Sequence, residues 1–228
     1  MDNIEHNFNV ERINDDLYFT PKDGYDSILV WLPGLGDTAQ SYYDDILDQR
    51  RPIPDKMKVI ILTSPKIPLS IKGGALTNSW FEYVDRSNFK IDEESVYENV
   101  NRIWSLIMFE AEKIGIATSR VFLGGFSQGS CMSFLIGLTL TDLTLAGIIC
   151  CSGYMFNHIK PDLEKAKLPI LICQGTNDKI VNIDKAKNSY QILFDQKFHL
   201  EYKVYNFTHE LTWEEYKDIK EFLIRNLN

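Results

Sequence analysis

The sequence predicts an α/β fold with a mostly parallel central sheet and helices on both of its faces. Two observations predict it. Short runs of apolar and β-branched residues occur that are too continuously apolar for a half-exposed sheet, so their strands are buried on both sides. These runs alternate with stretches whose apolar residues recur at helical spacing, and such alternation implies parallel pairing through right-handed crossovers.

In chain order, the predicted strands are "SILVWL" (27–32), "KVIILT" (58–63), "RVFLGGF" (120–126), "LAGIICCSG" (145–153), "LPILICQG" (168–175) and "LEYKVY" (200–205). The clearest helix runs from Glu94 to Ile114, where Val100, Ile103, Trp104, Ile107, Met108, Ala111 and Ile114 fall along one stripe. Further helices are expected over 128–140, 184–195 and 213–226, the last with Tyr216, Ile219, Phe222, Leu223 and Leu227 on one side. The opening "MDNIEHNFNVERINDD" reads as a polar tail and 65–80 as a loop. No long helical insertion separates the strands, so no large cap domain is expected.

At 228 residues, without a linker, repeat or low-complexity tract, the chain reads as one domain spanning 1–228. Its 24 Lys and Arg against 32 Asp and Glu give a formal charge of −8, which disfavours nucleic acid as a partner. The N-terminus lacks the basic start and apolar stretch of a secretory signal. Runs such as "AGIICC" and "FLIGL" are far shorter than the ~20 residues of a membrane-spanning helix. A soluble, cytoplasmic protein with at most transient membrane-surface contact is expected. Cys131, Cys150, Cys151 and Cys173 show no Cys-x-x-Cys spacing and read as buried, reduced thiols. Neither a metal nor a cofactor is expected.

The chemistry centres on "GGFSQGS", which contains Gly-x-Ser-x-Gly as Gly125, Ser127 and Gly129. In a chain of this length the pattern arises by chance roughly once in ten to twenty sequences, so context must decide. Ser127 falls between a predicted strand and a predicted helix, the arrangement of a nucleophile elbow, whose sharp bend demands small neighbours. A serine needs a base, and the base an orienting acid, in the chain order Ser, Asp or Glu, His.

Of the four histidines, His6 lies in the polar tail, His158 precedes the best-placed acid and His199 opens a strand. His209 follows the last strand, at what would be the carboxyl edge of the sheet. Asp178 closes the turn after "LPILICQG"; Asp162 is far from any strand end, and Asp184 looks like a helix N-cap. The oxyanion donors would be the N–H of Gln128, next to the nucleophile, and that of Leu35 in the glycine loop "WLPGLGDT".

With these pieces assembled, the sequence resembles the acyl-protein thioesterase and carboxylesterase family of small α/β-hydrolases, also described as lysophospholipases. The resemblance runs through "ILVWLPGLGDT", "SPKIPLS", "NSWFEY", "GIATSRVFLGGFSQGS", "ICQGTNDKIV" and "THELTWEEYKDIKEFL". It implies an α/β-hydrolase fold with Ser127 as nucleophile, His209 as base, Asp178 as its partner, and Leu35 and Gln128 as oxyanion donors. It also implies that the 65–80 segment lies over the site and helps to line an acyl-chain channel. Leu69, Ile71, Leu76 and Trp80 are the candidate substrate contacts, although Trp80 also reads as a support. Three positions depart from the family pattern: Pro33 where His is usual, Glu82 where Asp is common, and Thr208 where Gly is common.

The expected function is hydrolysis of long-chain acyl thioesters, such as S-palmitoylated cysteines on proteins, through an acyl-enzyme. The alternatives are a carboxylesterase or lysophospholipase acting on oxygen esters, and a non-catalytic lipid-binding protein on the same scaffold. The partners would be S-acylated proteins or lipid esters, met by a monomer or weak homodimer.

Overall fold

The computed structural model describes residues 7–48, 50, 52–85 and 90–227. The described chain opens with an antiparallel hairpin, β1 (Phe8–Ile13) and β2 (Asp16–Pro21), inside what the sequence suggested was a polar tail. Beyond Phe8, β1 is exposed along its length and lies at the sheet edge, so no apolar run marks it. Its Glu11 and Arg12 are the kind of residues that keep an edge from pairing further.

β3 (Ser27–Leu32), α1 (Tyr43–Leu47) and β4 (Met57–Ile61) follow. The expected loop at 65–80 is instead a short antiparallel hairpin, β5 (Lys66–Leu69) and β6 (Ala75–Asn78), and a second small pair joins β7 (Tyr83–Asp85) to β8 (Lys90–Ile91). Next come α2 (Glu93–Ile114), β9 (Val121–Phe126), α3 (Gln128–Thr139), β10 (Gly147–Cys151) and β11 (Ile170–Gly175). The order ends with α4 (Ile183–Ser189), α5 (Gln191–Asp195), β12 (Leu200–Tyr205) and α6 (Trp213–Arg225). The helix expected over 184–195 is thus broken at Tyr190, whose ψ of 17° leaves the helical range while its buried ring stacks on Phe134. Asn182, not Asp184, caps α4 by accepting the N–H groups of Asp184 and Lys185.

The main sheet runs β1-β2-β4-β3-β9-β10-β11-β12. From β4 to β12 every neighbour pairs in parallel, and β1 and β2 add the antiparallel edge. Successive strand residues face opposite sides. Ile28, Val30, Leu123, Ile148 and Ile172 face a core shared with α2, α3, α4 and α5, whereas Leu29, Trp31, Phe122, Ile149 and Leu171 face one shared with α1 and α6. The stripe of α2 buries Val96, Val100, Ile103, Ile107 and Ala111, but Met108, placed on it by spacing, is exposed. On the same side Glu110 of α2 meets Lys58 of β4 in a buried ion pair at 2.6 Å. No large cap interrupts the strand order, and among the described residues no helix is long and apolar enough to cross a membrane. The carboxyl ends of β3, β9, β10, β11 and β12 therefore open directly onto the loops that carry the candidate groups.

Candidate active site

Ser127 stands between β9 and α3 with φ +54° and ψ −114°, a conformation that costs a non-glycine residue about 1–3 kcal/mol. The surroundings hold it there. Its N–H donates to Cys151 O at 2.8 Å, and its carbonyl accepts the Cys131 N–H at 3.2 Å. The flanking glycines are obligatory: a Cβ on Gly125 would lie 2.4 Å from the Gly129 carbonyl carbon, and one on Gly129 would lie 1.8 Å from Leu32 O. The elbow read from the sequence is a bend with no room for a side chain two residues before or two residues after Ser127.

His209 follows β12 and rests against Phe126, their ring centroids 4.8 Å apart. Its Nε2 lies 2.9 Å from Ser127 Oγ and its Nδ1 2.7 Å from Asp178 Oδ2. Asp178 is buried, and its Oδ1 accepts the N–H groups of Ile180 and Val181, both at 2.8 Å. Burial pushes this carboxyl up, but the bonds from His209, Val181 and Ile180 outweigh it and hold the group below the ordinary Asp range. An ionised carboxylate that fixes the N–H tautomer at Nδ1 leaves Nε2 free to accept a proton from Ser127.

The loops carrying His209 and Asp178 are stitched together by Thr176 N–H to Tyr205 O and Asn177 N–H to Phe207 O. Their approach depends on Gly175, where a Cβ would meet Thr208 O at 2.4 Å. Thr208 itself has no positive φ, so the loop does not require the glycine common in the family. Of the other histidines, His158 stacks on Phe156 and the His199 N–H bonds Ala166 O, both away from Ser127; His6 lies outside the described residues.

Leu35 and Ser127 line one cavity of about 330 Å³, together with His209 and Phe126. Neither the Leu35 N–H nor that of Gln128, first residue of α3, has a partner among the described residues. The loop is tight against the serine, since a Cβ on Gly34 would be 3.4 Å from Ser127 Cβ. Pro33 leaves the donor loop intact because that residue is anchored through its carbonyl, which accepts the Trp80 indole N–H at 2.8 Å. Glu82 ties the β5–β6 hairpin instead of the site, accepting the Ser70 N–H at 2.8 Å.

The substrate contacts expected from the sequence do not line the cavity beside Ser127. Leu69 and Trp80 are wholly buried, while Ile71 and Leu76 are exposed on the hairpin; none of the four lines the cavity. The hairpin folds its Leu69 inward and points Leu76 to solvent, as strand alternation requires. The walls come from Tyr83, Tyr154, Ile180, Val181 and Asp37, which the sequence reading missed. Asp37, Tyr154, Ile180 and Val181 follow strands that end at the carboxyl edge of the main sheet, whereas Tyr83 lies in the separate β7–β8 pair and carries no such signal. Burial, offset in part by Tyr42, raises the Asp37 carboxyl above its usual range.

The four cysteines are free and buried. Among the described residues Cys151, Cys173 and Glu215 bring three potential metal donors within 4.8 Å of one another. Burial drives the Cys151 thiol well up and the Glu215 carboxyl to about 8, which favours the protonated form of each.

Residues 19–227 match the family described as Phospholipase/Carboxylesterase. The acyl-protein thioesterase 1 of Gibberella zeae is 29% identical over 225 residues, covering 92% of this chain and 95% of its own. That of Cryptococcus neoformans var. neoformans is 31% identical over 185 residues, 78% of this chain and 76% of its own. Among solved structures, Arabidopsis thaliana SOBER1 superposes with a TM-score of 0.76 at 26% identity, over 89% of this chain and 99% of that one. Zea mays acyl-protein thioesterase 2 shares the fold with a TM-score of 0.79 at 24% identity, over 93% and 99% of the two chains. This chain has the α/β-hydrolase fold of these structures and no large cap.

Proposed function

This chain belongs to the phospholipase/carboxylesterase family of serine hydrolases, in its acyl-protein thioesterase and carboxylesterase group, and from that premise we propose that it hydrolyses long-chain acyl thioesters such as S-acylated cysteines on proteins. The observation that carries the proposal is the hydrogen-bonded succession Ser127 Oγ, His209 and Asp178, at 2.9 and 2.7 Å, opening into a cavity that Leu35 also lines. The thioester preference follows the named activity of the relatives.

In this reading His209 Nε2 takes the Ser127 proton as Oγ attacks the acyl carbon. The N–H groups of Leu35 and Gln128 receive the oxygen as it becomes negative. The imidazolium then gives its proton to the departing sulfur, and the C–S bond breaks to leave acyl-Ser127. Water enters, loses a proton to His209 and attacks the same carbonyl. Collapse of the second intermediate returns the proton to Ser127 Oγ and frees the fatty acid. Phe126, Ile180 and Val181 give the acyl chain apolar contact at the cavity wall. Exposed Ile71 and Leu76 offer more beyond it, on the hairpin beside the donor loop.

The test is kcat/KM for a palmitoyl thioester, a lysophospholipid and a short oxygen ester, each beside Ser127→Ala. The proposal expects the thioester to be the best substrate and Ser127→Ala to lose at least about 10³-fold. A lysophospholipid or short ester as best substrate would make the protein an oxygen-ester hydrolase. Turnover by none, with acyl chains still bound, would make it a lipid-binding protein.

A further inference from the structure

Two side chains that touch neither the triad nor the cavity connect the two free backbone donors. The Gln128 amide reaches back to the segment before β7: its Oε1 accepts the Trp80 N–H at 3.0 Å and the Ser79 hydroxyl at 2.9 Å, and its Nε2 donates to Phe81 O at 3.2 Å. Trp80 carries the connection onward by donating its indole N–H to Pro33 O at 2.8 Å. One residue further along the donor loop, the Gly36 N–H donates to Asn78 O at 2.8 Å. The Gly34–Leu35 peptide, which bears the Leu35 N–H, is therefore bracketed by two bonds to the 78–80 segment. That segment is in turn bonded to the side chain of the residue that bears the other donor.

We propose that Gln128 and Trp80 are positioning residues for the oxyanion hole, fixing the separation and aim of the Leu35 and Gln128 N–H groups. The proposal rests on Ser127 being the nucleophile. Both side chains are buried, Gln128 at 1% exposure and Trp80 at 0%, so water cannot substitute for a lost partner and each bond keeps its geometry. The Trp80 carbonyl is held as well, accepting from Asn99 of α2 at 2.9 Å, which ties the clamp to a long helix. Oxyanion donors act by being aimed before charge develops, and a donor displaced by a fraction of an ångström binds the transition state less well while leaving substrate binding unchanged. Pro33, which has no N–H of its own to anchor, depends on the Trp80 bond to its carbonyl.

The experiment compares Trp80→Phe, which keeps an aromatic ring without the N–H, and Gln128→Met, which keeps the chain length without the amide. Active sites are first titrated with a fluorophosphonate, so that only folded enzyme is counted. Each variant is expected to lose about 10- to 100-fold in kcat, with KM within about twofold. Its affinity for a trifluoromethyl ketone, whose adduct with serine carries the oxyanion, should fall in proportion to kcat, while inhibition by the free fatty acid is unchanged. Full kcat in both variants, or ketone affinity that does not follow kcat, overturns the proposal. If Trp80→Phe does not fold, Gln128→Met decides alone. Should Ser127→Ala keep wild-type activity, the nucleophile reading fails instead, and the two failures are distinct.

Discussion

Asp178 serves His209 with one carboxylate oxygen and its own loop with the other. Oδ2 lies 2.7 Å from His209 Nδ1, and Oδ1 accepts the Ile180 and Val181 N–H groups at 2.8 Å each. The carboxylate that holds the His209 ring thus also holds a cavity wall, because Ile180 and Val181 both line the space beside Ser127.

Asp178→Asn separates these duties. The amide oxygen still accepts from Ile180 and Val181, but its NH₂ faces Nδ1 and favours the tautomer with the proton on Nε2. In steady-state assays kcat should fall about 10³- to 10⁴-fold with KM little changed. A fall in kcat of less than tenfold would remove Asp178 from the proposed triad.

The Lys58–Glu110 pair is buried on both sides, with 5% and 4% side-chain exposure. Lys58→Met strands a carboxylate in the core and should cost about 3–5 kcal/mol in urea unfolding, whereas Lys58→Met with Glu110→Leu should recover most of that loss. Additive losses in the double variant would contradict this account of the pair.

Glu215 gives a pH dependence of known sign. Its Oε2 accepts the Thr212 N–H in the capping box of α6, but its Oε1 has no hydrogen-bond partner, and burial raises the carboxyl from 4.5 to about 8. The native state then keeps a proton that the unfolded chain releases, so this group's contribution is intact below pH 4.5 and is lost as pH rises toward 8. In that window stability should fall by up to about 1.4 kcal/mol per pH unit from this one residue. Glu215→Gln preserves the cap and should remove that slope from denaturant midpoints measured between pH 5.5 and 8. An unchanged slope would contradict it.

The sequence disclosed the parts of this molecule whose environment is uniform along the chain. β3, β9, β10 and β11 are buried on both faces, so their apolar runs are unbroken. β1 is an exposed edge and was hidden, as was the 66–78 hairpin, whose Lys66 and Pro68 face solvent. The break falls at Tyr190, whose ring is seated against Phe134, a contact that helical spacing does not encode. That His209 lies within hydrogen-bond distance of both Ser127 and Asp178 is legible from chain order and strand ends, which constrain where such groups can meet. The cavity walls were not, since Asp37, Tyr83, Tyr154 and Ile180 come from separate segments that only the sheet brings together. Trp80 is wholly buried and bonded to Pro33 O, an environment that its sequence neighbours do not encode.

In the proposed mechanism Ser127 is made nucleophilic by His209. Fluorophosphonate labelling followed by peptide mass spectrometry tests it most directly, on the wild type, Ser127→Ala and His209→Ala. One adduct per chain is expected, on Ser127, absent from Ser127→Ala and formed far more slowly in His209→Ala. An adduct on another residue, or labelling of Ser127 at an undiminished rate without His209, would contradict it.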